Sequence, residues 1–225
     1  MERVLVVGGL SGIGKSVVEY LKMDFIVETL SRSEKISDLN QIKHHSIDAT
    51  IPHALKNYFY SLHPYEHVVV TAGDTPMGSL HLLSDEEARY AITNKFWLSY
   101  VVARDIPWRK SLTFISGSLS VRPGENSALQ SAINAGIEGM TRSIALECAP
   151  ARVNCISPGV INAGRWDRVA QDIRQKSMES ASRRTLVGHV GNPLHIAQAV
   201  KFIIECDYLT AEIIYVDGGS RFGQT

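Results

Sequence analysis

The first chemical signal is a run of closely spaced glycines, Gly8-Gly9-Leu10-Ser11-Gly12-Ile13-Gly14, between an apolar segment and a stretch with helical spacing. Gly8 permits a tight turn, Gly12 lets bare backbone approach a pyrophosphate, and Gly14 lets a helix pack close to a strand. Backbone N–H groups of this turn, at Leu10, Ser11 and Ile13 as well as the glycines, are placed to face an anion at the start of the new helix. Alone, such a run is only a permissive turn; the strand–turn–helix setting makes it a dinucleotide signal. The next apolar segment ends Leu30-Ser31-Arg32-Ser33. A carboxylate there would accept from a ribose 2′-hydroxyl, whereas Arg32 offers a planar fork to a 2′-phosphate, with Ser31 and Ser33 adding hydroxyl donors. The plain alternative is an ordinary surface arginine. This pattern predicts NADP(H) in preference to NAD(H).

Such residues need strands that end where they begin. Apolar runs at 4–7, 25–30, 68–71, 112–115, 153–157 and 213–216 are predicted strands, apolar at nearly every position rather than at alternate ones. That pattern belongs to a parallel sheet covered on both faces. Helical spacing fills 14–22, 52–62, 84–105, 127–147 and 193–205; in the last, Ile196, Val200 and Ile203 share one side. Strand and helix in alternation predict an α/β fold, a three-layer doubly wound parallel sheet in a single domain over 1–225. In such sheets the ligand lies beyond the carboxyl ends of the strands.

The chain has 225 residues, 44% hydrophobic and 20% charged, which suits one packed domain and excludes disorder or coiled coil. Lys plus Arg number 23 and Asp plus Glu 23, so there is no net field to attract nucleic acid or an anionic membrane. No apolar run approaches the ~20 residues that span a bilayer. The opening Met1-Glu2-Arg3 leads into a strand, with no secretory pattern. Cys148, Cys155 and Cys206 are odd in number and lack metal spacing, so they are expected as buried free thiols of a cytoplasmic protein. Adjacent His44 and His45 point to opposite sides of a strand, and His53, His63 and His67 are expected on the surface; no metal is predicted.

Together with further segments, these motifs resemble the short-chain dehydrogenase/reductase superfamily over essentially the whole chain. The resemblance implies a Rossmann fold. It implies an adenine contact at Asp48-Ala49 and aligns Thr71-Ala72-Gly73 with the family's Asn-Ala-Gly segment after the fourth strand. Pro158-Gly159-Val160-Ile161 matches the segment whose backbone meets the nicotinamide carboxamide. Val7 and Ala163 stand where the family has Thr, while Arg152-Val153-Asn154 and Asp217-Gly218-Gly219 match. Residues 162–185 correspond to the variable substrate lid, with Trp166 either an apolar wall or an anchor of that lid.

The family's chemistry implies a Tyr that exchanges the proton, a Lys that lowers the Tyr pKa and holds the ribose, and a Ser that polarises the carbonyl. Alignment on Ala135-Gly136-Ile137 and Phe114-Ile115-Ser116 puts Gln130 at the Tyr, Asn134 at the Lys and Gly117 at the Ser. No register slip repairs this, because no Tyr occurs between Tyr100 and Tyr208 and no Lys between Lys110 and Lys176. Gln130 donates a hydrogen bond but surrenders no proton near neutral pH, and Asn134 can still bond the ribose hydroxyls of the cofactor but brings no charge. Losing a general acid costs ~10²–10⁴ in rate. Asn94, at the family's helical Asn that holds a relay water, and Ser116 or Ser118 are the nearest polar groups left to assist.

Two functions are therefore expected. One is an NADP(H)-dependent oxidoreductase acting on a small carbonyl or alcohol through a noncanonical site. The other is an inactive NADP(H)-binding sensor or scaffold, separated from the first by restoring Gly117→Ser, Gln130→Tyr and Asn134→Lys. Phe96, Trp97 and Tyr100 form an aromatic cluster read as core. In the resembling family the helices at 84–105 and 127–147 build a four-helix interface, implying a homodimer or homotetramer.

Overall fold

The computed structural model describes residues 1–33 and 42–223. Seven parallel strands form one sheet: β1 (Arg3–Val7), β2 (Ile26–Ser31), β3 (Lys43–Ser46), β4 (Tyr65–Val70), β5 (Trp108–Ile115), β6 (Arg152–Pro158) and β7 (Ile213–Val216). Their spatial order is β3-β2-β1-β4-β5-β6-β7. The order reverses between β1 and β4, which opens a crevice at their carboxyl ends. The helices are α1 (Gly12–Leu21), α2 (Ala54–Phe59), α3 (Asp85–Ala91), α4 (Leu98–Asp105), α5 (Ala128–Glu147), α6 (Gln171–Arg183) and α7 (Pro193–Glu205).

Side-chain alternation along each strand divides the core into two layers. Leu5 and Val7 of β1 join Val68, Val70 and Phe114 under α4 and α5, whereas Val4 and Val6 join Val69 and Ile156 under α1 and α7. Every residue of β4 is buried, as continuous apolar character demands. β3 reads Lys43-His44-His45-Ser46 and pairs with β2 alone. As an edge strand it needs no apolar run, which is why it is absent from the six predicted from hydrophobicity. The polar α6 has no apolar stripe to betray it and is absent from the helices read from spacing, although the resemblance places a lid helix within 162–185.

The predicted helix at 84–105 is broken. α3 starts on a capping box between Ser84 and Glu87, but residues Ile92–Trp97 form a π-helical turn before α4 resumes. That turn rotates the side chains after it. Phe96 packs on the core, but Trp97 and Tyr100 are 43% and 39% exposed and stack on each other at 5.4 Å, so the aromatic cluster is not core as expected.

His67 also departs from expectation. It is buried within β4, where its Nδ1 accepts from Ser111 Oγ at 2.7 Å and its Nε2 donates to Glu2 Oε2 at 2.7 Å. A strand enclosed on both faces leaves an internal residue no route to solvent. His44 and His45 do face opposite ways: His44 bonds Thr29 and the Ser33 carbonyl, while His45 bonds Tyr58 and Glu28. Among the described residues no helix is long and apolar enough to cross a membrane.

Candidate functional site

The β1–α1 turn is built from backbone. Gly8 has φ 88° and Gly12 φ 51°, conformations that favour glycine. A Cβ on Gly14 would lie 2.1 Å from the Gly8 carbonyl oxygen, so α1 can rest this close to β1 only without a side chain there. Ser11 is the N-cap but makes no side-chain capping bond, and the first turn of α1 holds no acidic residue. The leading amides of α1 around Ile13 therefore have neither a side-chain cap nor a carboxylate, and the helix dipole favours an anion beside Ser11 and Gly12. Leu10 lies between the two glycine bends and packs on the lower core layer. These features fit a pyrophosphate: bare backbone at Gly8 and Gly14 lets the turn close against Ala72 and Thr71, and the uncapped amides are left for the anion.

Beyond β2, Arg32 is exposed and, among the described residues, has no acidic partner. Ser31 Oγ accepts from Ser33 N at 3.3 Å, which bends the chain around Arg32. Residues 34–41 lie outside the described residues. After β3, Asp48 Oδ1 accepts from Thr50 N at 2.9 Å and Thr50 Oγ1 at 2.7 Å, which fixes its carboxylate, and Ala49 is buried beside it.

After β4, Thr71 N and Ala72 N both donate to the Val7 carbonyl at 2.9 Å, and Thr71 Oγ1 adds a third bond to it at 2.9 Å. These bonds lock the two sides of the crevice together and present Ala72 and Gly73 at its rim. After β6, Gly159 N donates to the Val216 carbonyl at 3.1 Å and Gly191 N to the Val160 carbonyl at 3.0 Å. Pro158, Gly159, Val160 and Ile161 thus leave the sheet as a fixed strip, with Ile161 buried. The lid then crosses above the turn: a Cβ on Gly12 would meet the Gly164 Cα at 3.1 Å.

At the other end the site is richer than its sequence suggested. Asn94, buried in the π turn, spends its amide N–H on the Tyr90 carbonyl at 2.9 Å. The next residue, Lys95, reaches across the sheet's end. Its Nζ donates to Asn134 Oδ1 at 2.7 Å and to the Ser116 carbonyl at 2.9 Å, and its stem packs on Gly73, where a Cβ would lie 3.1 Å from Lys95 Cγ. Burial lowers the Lys95 pKa to about 8. Ser116 Oγ donates to Glu138 Oε1 at 2.8 Å, and Ser120 Oγ donates to the same oxygen at 2.7 Å. Ser118 starts the short 3₁₀ turn after β5. Gln130 Nε2 donates to Thr75 Oγ1 at 2.8 Å, while its buried Oε1 has no partner among the described residues.

Gly117 and Asn134 are neighbours: a Cβ on Gly117 would lie 2.9 Å from Asn134 Nδ2. The predicted residues Ser116, Gly117 and Asn134 therefore do come together, whereas the polar groups of Asn94 and Ser116 are turned into the protein. Lys95, Glu138 and Thr75 were missed. Lys95, Leu98, Ser99 and Val102 repeat at helical spacing, and the last three are buried. A lysine on a buried stripe was the available signal. Glu138 sits in a similar stripe with Asn134, Ile137 and Thr141.

A family profile described as an SDR-like Rossmann domain matches residues 44–222. The chain belongs to the short-chain dehydrogenase/reductase family. The short-chain dehydrogenase/reductase ATR9 of Stachybotrys chlorohalonatus is 25% identical over 247 residues, covering 97% of this chain and 96% of that protein. A small-chain dehydrogenase crystallised in complex with NADPH is 30% identical at a TM-score of 0.84, covering 99% of each chain. The ligand-free aldohexose dehydrogenase of Thermoplasma acidophilum reaches a TM-score of 0.90 at 22% identity, covering 99% of this chain and 95% of that one, a likeness of fold.

Proposed function

We propose that this chain is an NADP(H)-dependent oxidoreductase acting on a small carbonyl or alcohol. The observation that carries the reading is the uncapped, acid-free N-terminus of α1 behind the bare Gly8–Gly12 backbone, with an exposed Arg32 one strand away that has no acidic partner among the described residues. Membership in the family and the NADPH held by a relative 30% identical to it support the choice of cofactor. A bound nicotinamide supplies the hydride in such chemistry.

Under this reading the N–H groups of Leu10, Ser11, Gly12, Ile13 and Gly14 hold the pyrophosphate. Arg32, Ser31 and Ser33 hold the 2′-phosphate, and Asp48 and Ala49 flank the adenine. Thr71, Ala72 and Gly73 form one wall of the cleft; Pro158, Gly159, Val160 and Ile161 form the other. Asn134 presents an amide rather than an acid to the substrate oxygen, so polarisation by a fixed donor replaces proton transfer from a side chain, while Gln130 has already given an amide N–H to Thr75. The stacked Trp97–Tyr100 face serves self-association as a homodimer or homotetramer.

Calorimetry with NADPH on ligand-free protein, followed by loss of nicotinamide absorbance against a panel of carbonyl compounds, tests the reading. Tight NADPH binding with turnover above buffer is expected, and flat calorimetric traces would end it. A binding protein without redox chemistry is the second reading. The observation favouring it is that Ser116 and Asn94, the two groups best placed to assist, are already committed to Glu138 and the Tyr90 carbonyl. Clear binding with no turnover on any carbonyl would select it.

A further inference from the structure

A lysine at the end of a sheet usually reaches water or a carboxylate, and Lys95 does neither fully. It is half-buried, its hydrogen bonds among the described residues go to two neutral oxygens, and it belongs to no ion pair among them. The nearest acid, Glu138, has Oε1 occupied by Ser116 and Ser120. A buried ammonium without a carboxylate is costly to fold around. Its position is also fixed from three sides, by the π turn that carries it, by Gly73 against its stem, and by Asn134 at its tip.

The contact with Asn134 has a directional consequence. Lys95 offers only donors, so Asn134 must turn its carbonyl oxygen toward Nζ and its amide nitrogen away. That nitrogen lies beside Gly117, where the lack of a side chain leaves room in front of it. Among the described residues Asn134 Nδ2 has no acceptor of its own. It is a donor held by a cation, in a residue only 1% exposed, beside Gly117 just past the end of β5.

We propose that Lys95 supplies the fixed positive charge of this site through Asn134, so that an electron-rich ligand oxygen at the Gly117 edge meets the Nδ2 donor with the ammonium directly behind it. The ligand groups with this chemistry are a ribose hydroxyl of the nicotinamide half and a carbonyl oxygen gaining negative charge. Only that naming of the ligand rests on the function proposed above. Lys95 is a positioning residue here, and its effect is felt through Asn134. The titratable groups facing it are Glu138 from α5 and the Cys155 thiol from β6, which burial keeps neutral by pushing its pKa up to about 11.

Calorimetry on the full chain with two probes separates local from general damage: NADPH, and adenosine 2′,5′-bisphosphate, which lacks the nicotinamide ribose. Lys95→Met should weaken NADPH by about tenfold, the scale of one charge-assisted hydrogen bond, and leave the bisphosphate unchanged. Moving the charge by Lys95→Met with Asn134→Lys should restore most of the loss. Equal loss of both probes, or of neither, overturns the proposal. A ligand-free reading keeps its failure distinct from that of the proposed function. In lysine-labelled protein followed by NMR, the Lys95 ammonium should titrate near 8, and Asn134→Asp should raise that midpoint by about one pH unit or more. If this holds while no nucleotide binds, the oxidoreductase reading falls and the charged pair stands. If Lys95 titrates as an exposed lysine, the pair falls whatever the protein binds.

Discussion

Replacing Lys95 by methionine removes a charge that folding has drawn out of water, and the cost should be visible as a slope against pH. The ordinary lysine value of 10.5 is lowered to about 8 by burial. A fall of this size corresponds to about 3 kcal/mol, reduced to about 2–3 because part of the side chain still meets solvent. The folded protein binds this proton less tightly than the unfolded chain. Well below pH 8 both states carry it and the folded state bears the whole penalty; as pH rises through about 8 toward 10.5 the unfolded chain holds more protons, so stability rises with pH. Wild type should therefore gain about 2 kcal/mol on Lys95→Met between pH 7.5 and 10. The substitution also leaves Asn134 Oδ1 and the Ser116 carbonyl without a donor, which costs about 1–3 kcal/mol for each. That loss does not vary with pH, so the slope isolates the charge. Titration of Cys155, common to both proteins, cancels to first order. Urea unfolding at four or five pH values measures the difference. Parallel stability curves would show that Lys95 is an ordinary solvated lysine and would remove the basis for its role.

Arg32→Asp should weaken NADPH by about 1.5–3 kcal/mol and improve NADH relative to it, the scale of a charged hydrogen bond; an unchanged ratio in paired titrations would refute a 2′-phosphate contact. Gly14→Ala forces a methyl against the Gly8 carbonyl at 2.1 Å and should cost about 1–3 kcal/mol in urea unfolding, with a loss near zero showing that α1 can shift. At the opposite end of the sheet, burial works to raise the Glu28 pKa, but Arg3, His45 and Tyr65 outweigh it and hold the carboxyl at about 2. This lowered carboxylate contributes about 3 kcal/mol above pH 4.5 that is lost as pH falls through about 2. Glu28→Gln should flatten that acid limb, and an unaltered limb in acid unfolding would assign it elsewhere.

The sheet and its ligand end were legible because each strand with two covered faces must be apolar at successive positions, and because backbone approach to a phosphate needs glycine. β3 was hidden by its edge position, and α6 by a composition with no buried stripe. The reaction end was legible only as a set of losses. Gly117, Gln130 and Asn134 stand at aligned positions, so what they lack could be read one residue at a time. Lys95 comes from a different helix, and its reach depends on the π turn at Ile92–Trp97. A π turn is a local slip in hydrogen bonding that leaves no compositional trace. The sequence shows where a charge vanished from α5, but chain order alone cannot show that a neighbouring helix delivers one to the same spot.

This relocation changes what a restoration experiment means. Asn134 Oδ1 lies 2.7 Å from Lys95 Nζ, so Asn134→Lys with Lys95 in place brings a second ammonium toward the first, and at a separation of ~5 Å the repulsion would be about 3 kcal/mol at an effective dielectric near 20. A serine at 117 meets the Asn134 amide at 2.9 Å when introduced alone, so the two positions must change together. The triple change Gly117→Ser, Gln130→Tyr and Asn134→Lys should therefore be less stable at pH 7 than the same protein carrying Lys95→Met as well. The gap should narrow as pH rises and one ammonium releases its proton. Only the fourfold variant is a fair test of whether the pocket accepts a Ser-Tyr-Lys arrangement, since silence from the triple variant reports the clash of charges. Equal stability of the two across pH 7–10 in thermal unfolding would mean that the ammonium groups avoid each other, and with that the coupling between positions 95, 117 and 134 would be gone.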